Sequence, residues 1–159
     1  MIIIVMGVSG SGKTVVGEQL AKRLNYDFQD ADNFHSPENI EKMRHNIPLN
    51  DQDRQPWLQK LQEAIKQWIQ QNKNVILACS ALKEDYRKQL LVNPKQMKIV
   101  YLKGSYELIK KRLQQRSEHY MKADLLYSQF KDLEEPSAAI EIDISHSTEE
   151  IVKQIQAQL

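Results

Sequence analysis

Apolar residues along this chain follow two rhythms. Unbroken runs at 1–6 (MIIIVM), 75–79 (VILAC) and 99–102 (IVYL) have the length of strands and show no alternation. Such runs predict parallel strands covered on both faces. Between them the apolar positions take helical spacing. Val16, Leu20, Ala21 and Leu24 share a face within 14–24, and Leu58, Leu61, Ile65, Trp68 and Ile69 share one in a helix opening at Pro56. Leu82 to Leu91 reads as helical. Leu108, Ile109 and Leu113 face inward within Ser105–Arg116, and a further helix runs to about Phe130. Residues 26–30 (YDFQD) read as a short strand, and Ile140, Ile142 and Ile144 alternate as another. Ser36-Pro37 marks a helix start, with proline at the first helical position and an end near Arg44. Ser147 and Glu150 form a capping box before Ile151, Ile155 and Leu159.

Strands alternating with helices predict an α/β fold, a parallel sheet wrapped by helices with right-handed crossovers. The 159 residues fit one domain with a sizeable core. Ligands of such sheets sit at the carboxyl ends of the strands. Two stretches, about 31–55 and about 115–123, are too polar for core and too long for tight turns. They are the expected substrate flap and lid. Residues 45–55 in particular read as irregular.

The run 1–6 leads directly into GVSGSGKT, Gly7 to Thr14. This is the P-loop pattern G-x-x-x-x-G-K-S/T, placed after a strand and before a helix as its function requires. Four of the five glycines, Gly7, Gly10, Gly12 and Gly17, fall in or just after this segment. Glycine lets the backbone curl until successive N–H groups, from Val8, Ser9, Ser11 and their neighbours, point inward at phosphate oxygens. Lys13 adds a charge for the β- and γ-phosphates, and the Thr14 hydroxyl suits Mg²⁺. The dipole of the following helix favours anions at the same place.

Asp30-Ala31-Asp32 falls at the end of the second predicted strand. Phosphoryl transfer needs one acid near the metal and one to orient or deprotonate the attacking hydroxyl. Alternate residues of an extended chain share a side, so two carboxylates one residue apart can divide those tasks. A plain Asx-capped turn is the other reading. The third strand ends in Cys79-Ser80 without an acid, which leaves Asp30 as the metal-side carboxylate and Asp32 as the base.

Several cations are candidates for a substrate carboxylate. Arg54 lies in the predicted flap, and its planar fork matches a carboxylate. Lys83 and Arg87 follow the third strand, four apart on one helical face. Arg112 and Arg116 are also four apart, with His119 and Lys122 beyond them; a basic helix end beside a polar stretch suits a lid over triphosphate. Each of these pairs reads equally as a solvated basic face. Within 49–54, Asp53 can instead serve a helix cap. His45 and His146 read as loop residues and Cys79 as a small buried apolar residue.

Composition removes other classes. Lys+Arg is 22 against Asp+Glu 21, a net charge of +1, so there is no electrostatic case for nucleic acid or membrane. One cysteine excludes an internal disulfide and argues against a cysteine zinc site. No apolar run nears the ~20 residues of a membrane span, and no signal-peptide pattern opens the chain, so a cytoplasmic protein is expected.

Taken together, the segments MGVSGSGKT (6–14), DAD-x-x-H (30–35), NIEKM (39–43), PLND-x-D-R-x-PWL (48–58), CSALK-x-x-YR (79–87), YLKG (101–104), R-x-x-x-R-x-x-H-Y-x-K (112–122) and SQF-x-x-LEEP (128–136) resemble the bacterial gluconokinases, ATP-dependent D-gluconate kinases. The P-loop alone fits hundreds of functions; the 48–58 and 79–87 segments are far more specific. The resemblance implies a P-loop NTPase fold like that of nucleoside monophosphate kinases, with a mobile lid. It implies ATP and Mg²⁺ as cofactors and D-gluconate as substrate. It also implies Lys13, Asp32 and Arg116 in catalysis, Arg112 beside the nucleotide, His35 among the substrate contacts, and a homodimer. Two departures are small: Ala31 where the family often has glycine, and Tyr120 where it often has phenylalanine. The alternatives are a P-loop kinase for another small acid or a nucleotide, or a non-catalytic nucleotide switch.

Overall fold

A computed structural model describes residues 1–115 and 123–159. Five strands, β1 (Ile2–Met6), β2 (Asp27–Asp30), β3 (Val75–Ala78), β4 (Met97–Lys103) and β5 (Ile140–Asp143), form one sheet in the order β2-β3-β1-β4-β5. Every pairing is parallel, with Ile4 of β1 beside Leu77 of β3 and Ile99 of β4. β1 is central and wholly buried. Its side chains divide by parity. Ile3 and Val5 join a core layer with Val16 and Leu20 of α1 (Lys13–Leu24), Ile109 of α5 (Tyr106–Gln114) and Val152 of α7 (Thr148–Gln158). Ile2, Ile4 and Met6 join the opposite layer with Leu58, Leu61 and Ile65 of α3 (Asp51–Gln70) and Leu90 of α4 (Glu84–Leu90). Two buried faces explain why the strand reads as an unbroken apolar run.

Helix ends follow local chemistry. Ser36, Ser105 and Ser147 cap α2 (Pro37–Arg44), α5 and α7 by accepting from the third backbone N–H beyond them. With glycine spent on the P-loop, asparagine supplies the left-handed residue after three helices: Asn25, Asn46 and Asn72, with φ of 58°, 57° and 55°.

One element differs from expectation. α3 begins at Asp51, a turn before Pro56, and the supposedly irregular segment is partly its first turn. Asn50 accepts from Asp53 N–H at 2.7 Å while Asp53 accepts from Asn50 N–H at 3.0 Å. This reciprocal cap outweighs the one hydrogen bond that Pro56 cannot make, since the proline lies near the helix start on its exposed face. Asp53 thus takes the capping role, and Lys42 holds it by an ion pair at 2.9 Å.

After β3 the chain turns through Ala81, a buried residue at φ 44°. A left-handed alanine costs roughly 1–2 kcal/mol and needs support. Arg87 supplies it. Its buried guanidinium donates to Ala81 O at 2.7 Å, Leu82 O at 3.1 Å and Glu134 O at 2.7 Å. Glu134 N–H returns a bond to Leu82 O at 2.8 Å. This knot ties the turn after the carboxyl end of β3 to the chain leaving α6 (Ala123–Asp132). Arg87→Met should lower the unfolding free energy by roughly 3 kcal/mol or more, because several enclosed carbonyls lose their donor. Lys83→Met, at a more exposed ion pair, should change it little. Urea unfolding of both variants checks this; equal midpoints would show that Arg87 is not the support.

Candidate active site

The carboxyl ends of β1, β2 and β3 open into a cavity of about 480 Å³, lined by residues between Asp30 and Trp57 and by Leu125, Ser128 and Gln129 of α6. Strand order reverses about β1, the place where such sheets leave a crevice for ligands. The 7–14 loop forms the floor. Gly10 and Gly12 hold φ of 84° and 97°, values that side chains resist. A Cβ on Gly10 would also sit 2.9 Å from Leu113 of α5, so the loop can only lie this low as glycine. Lys13 Nζ arches back to donate to Gly7 O at 2.9 Å and Val8 O at 3.1 Å. The first residues of α1 therefore present backbone N–H groups and a cation at one spot, an anion site.

Asp30 and Asp32 stand beside it. Thr14 Oγ1 donates to Asp30 Oδ2 at 3.3 Å, and Asp32 N–H donates to Asp30 Oδ1 at 3.0 Å. The Asx turn leaves both carboxylates lining the cavity. Asp32 is open to solvent in the cavity but crowded by its walls. That crowding raises its pKa above the usual carboxylate range; the Asp30 charge raises it further and Lys13 pulls it down. A carboxylate so placed is a stronger base than an ordinary one. Hydroxyl and carboxylate oxygens together, at Thr14 and Asp30, are hard donors that suit Mg²⁺, which takes few protein ligands and completes its shell with water and phosphate. Among the described residues no cluster of three acidic, His or Cys side chains offers a fuller metal cage.

His35 forms the opposite wall. It is buried and stacks on Trp57, ring centroids 4.4 Å apart and planes at 10°. Trp57 is itself pinned by donating to Ala31 O at 2.7 Å. Burial, then the charge of Arg54, lowers the His35 pKa to about 4, so the ring is neutral at pH 7. Asn39 Nδ2 donates to Asp53 O at 2.7 Å, which marks it as the amide nitrogen, and it also lies 3.4 Å from His35 Nδ1. We assign the tautomer from that chain: Nδ1 accepts and Nε2 carries the proton.

The cations sort differently from their sequence patterns. Arg54 lines the cavity with its side chain 12% exposed; Nη1 donates to Tyr86 Oη at 3.0 Å and pairs with Asp132 at 3.4 Å. Lys83 does not line the cavity. Its ammonium pairs with Asp51 at 2.8 Å, and Tyr86 donates to the same carboxylate. Arg87 does not reach it either, being committed to the carbonyls of the knot. Arg112 lies on α5 and donates to Ile144 O, away from the cavity lining. Arg116, His119, Lys122 and nearly all of the expected lid lie outside the described residues. Three participants escaped sequence reasoning. Arg44 lines the mouth, 3.7 Å from Glu41. Trp57 braces His35. Gln129 of α6 bonds Ser9 of the phosphate loop. Polar positions on amphipathic helices look like solvated faces until tertiary packing turns them inward.

A phosphate loop at the carboxyl edge of a 2-3-1-4-5 parallel sheet, with a pair of carboxylates beside it in the same cavity, defines a P-loop kinase. The shikimate kinase family model matches residues 9–159. A probable gluconokinase of Xenopus tropicalis is 45% identical over 100% of this chain and 93% of its own length. The thermosensitive gluconokinase of Escherichia coli (strain K12) is 41% identical over 95% of this chain and 83% of its own. A crystal structure of a gluconokinase from Sinorhizobium meliloti 1021 superposes with TM-score 0.89 at 40% identity, covering 98% of this chain and 89% of that one. The shikimate kinase of Aquifex aeolicus shares the fold at TM-score 0.59 and 21% identity. The chain belongs to the gluconokinase family, within the broader span of shikimate kinase-like enzymes.

The His35 environment makes a pH prediction. Its folded pKa lies below its unfolded value of about 6.5, so the unfolded chain binds the extra proton. The stability that this provides is complete above pH 6.5 and is lost as pH falls toward 4, to an extent on the order of 3 kcal/mol. Asp51 and Asp53, whose pKa values are lowered, act mainly below that window; Glu135, also lowered, overlaps its lower end, and Asp32, whose pKa is raised, partly offsets the loss within it. Urea midpoints at pH 7 and pH 5 should differ more in wild type than in His35→Phe; equal differences would place the titration elsewhere.

Proposed function

We propose that this chain transfers the γ-phosphoryl group of ATP to the primary hydroxyl of D-gluconate, giving 6-phospho-D-gluconate and ADP. Lys13 and the phosphate loop on the cavity floor, with Asp32 beside them in the same cavity, carry this reading. The gluconokinase relatives supply the substrate. The loop from Gly7 to Thr14 receives the phosphates through those backbone N–H groups that the protein does not hold; Ser9 N–H is donated to Gln129 and Ser11 N–H to Val8 O. Lys13 stabilises charge spreading over the transferred group. Asp32 accepts the proton as the hydroxyl oxygen attacks phosphorus. Thr14 and Asp30 hold Mg²⁺, which neutralises phosphate charge when bound. His35 offers its Nε2–H to a hydroxyl of the sugar acid.

Arg54 is the proposed partner of the carboxylate. Among the described residues Nη2 and Nε make no hydrogen bond, and the residue borders the cavity. Arg44, at the mouth, is the reserve that the structure favours over Lys83 and Arg87, whose charged ends are engaged elsewhere. Arg112 and Arg116 complete the reading from the lid side. A homodimer in the cytoplasm belongs to the same proposal. No described helix is long and apolar enough to cross a membrane.

The central test is ADP release with D-gluconate against no acceptor and against a panel including shikimate and nucleoside monophosphates. Gluconate-dependent turnover is expected; turnover only with another acceptor, or none, would overturn the substrate. Lys13→Met should cost of order 10²-fold or more in kcat with the fold retained. Asp32→Asn should lower kcat with little change in ATP affinity. Arg54→Ala should shrink the preference for gluconate over glucitol by about 10- to 150-fold. An equal loss on both acceptors would move the carboxylate contact to Arg44.

A further inference from the structure

Gln129 of α6 holds the phosphate loop through two hydrogen bonds. Its Oε1 accepts from Ser9 N–H at 2.8 Å, and its Nε2 donates to Ser9 Oγ at 3.1 Å. The two residues lie 120 positions apart, so only the fold brings them together. Ser9 lies within the phosphate loop and both residues border the cavity; its own N–H is taken by Gln129, so Gln129 acts on a phosphate through the loop's conformation and not through an open Ser9 N–H. The residue type is informative. A neutral carboxamide can accept from one group and donate to its neighbour without adding charge. A carboxylate here would keep the bond to Ser9 N–H but lose the donor, and would place a negative charge at the rim of a phosphate site. A lysine would do the reverse.

One turn further along, Asp132 pairs with Arg54 at 3.4 Å. Residues three apart on a helix are surface neighbours. A single turn of α6 thus holds the phosphate loop through Gln129 and the acceptor-side helix α3 through Asp132. Leu125 and Leu126 bury the helix beneath them.

Resting on the gluconate kinase reading, we propose that Gln129 is a positioning residue that sets Ser9 for the triphosphate and, with Asp132, couples ATP binding to occupancy of the acceptor site. Arg54 shifts when it takes up the acid substrate, Asp132 follows, and α6 draws Gln129 and Ser9 with it. ATP and acceptor then bind better together than apart, by the reciprocity of coupled sites.

The test measures the affinity of the full chain for the non-hydrolysable ATP analogue adenylyl-imidodiphosphate, with and without D-gluconate, by calorimetry. Wild type should bind the analogue about fivefold or more tightly with gluconate present. Gluconate should give no such gain in Gln129→Met. Gln129→Glu is the discriminating variant. It keeps the shape and the Ser9 N–H bond, so a purely structural clamp predicts that it lies between wild type and Gln129→Met. A positioning role at phosphate predicts that it binds the analogue more weakly than Gln129→Met. Urea midpoints separate folding from binding. If Gln129→Met fails to fold, Asp132→Asn reads the same coupling from the acceptor side and should abolish the gluconate effect. The proposal is overturned if Gln129→Glu is milder than Gln129→Met, or if both variants and Asp132→Asn retain the wild-type coupling. Absence of gluconate turnover in wild type, by contrast, would fault the substrate and not Gln129: the order of the two variants on the analogue alone still decides whether Gln129 positions the loop.

Discussion

The backbone conformation of residues 7–14 is the constraint on which the rest of the molecule is arranged. Gly10 and Gly12 take up left-handed angles so that the chain can turn from the buried end of β1 into α1 within a few residues. The loop then lies low enough that any side chain on Gly10 would collide with Leu113 of α5. A curled loop of this kind holds its N–H groups pointing inward only if both of its ends are rigid. β1 is rigid because it is buried on both faces and paired on both edges. α1 is rigid because Val16, Leu20 and Ala21 bury it against the sheet. Electrostatic stabilisation by fixed dipoles needs no reorganisation when charge moves, which is the advantage of building the site on these two elements.

The flap side achieves rigidity by different means. No strand supports Asp32 and His35 directly; they follow β2 in a 3₁₀ turn and a short connection. The Asx turn on Asp30 fixes Asp32, while stacking on Trp57 and the Asn39 amide fix His35. Trp57 is in turn held by Ala31 O, Asn39 by Asp53 O, and Asp53 by the α3 cap with Asn50. Aromatic burial and a chain of satisfied hydrogen bonds here replace the sheet ladder as the source of order.

Charge is divided between architecture and chemistry by what each cation finds nearby. Arg87, Lys83 and Lys42 lie close to carbonyls or carboxylates of their own fold and are held by them. Lys13 and Arg54 also have protein partners, yet they border the cavity. The rigid fork of arginine matters at both kinds of place: it closes three carbonyls at Arg87, and at Arg54 it can bind Tyr86 and Asp132 through one nitrogen while the others remain for a ligand.

The sequence by itself determined the sheet, the phosphate loop and most helix boundaries, because these depend on short-range causes. Unbroken apolar runs force burial, glycine spacing allows the curl, and serine before a helix satisfies its first N–H groups. The acid pair at Asp30 and Asp32 was legible for the same reason, being local to a strand end. The start of α3 was misjudged where two local signals, Pro56 and the Asn50–Asp53 cap, competed within one turn. Only the tertiary structure decided which cations meet the cavity, since Arg54, Lys83, Arg87 and Arg44 differ in what lies across from them, not in their own segments. It alone joined Gln129 to Ser9 and His35 to Trp57. Such contacts form when packing brings distant polar groups together out of water, and a periodic pattern cannot distinguish a polar residue turned to solvent from one turned to a site.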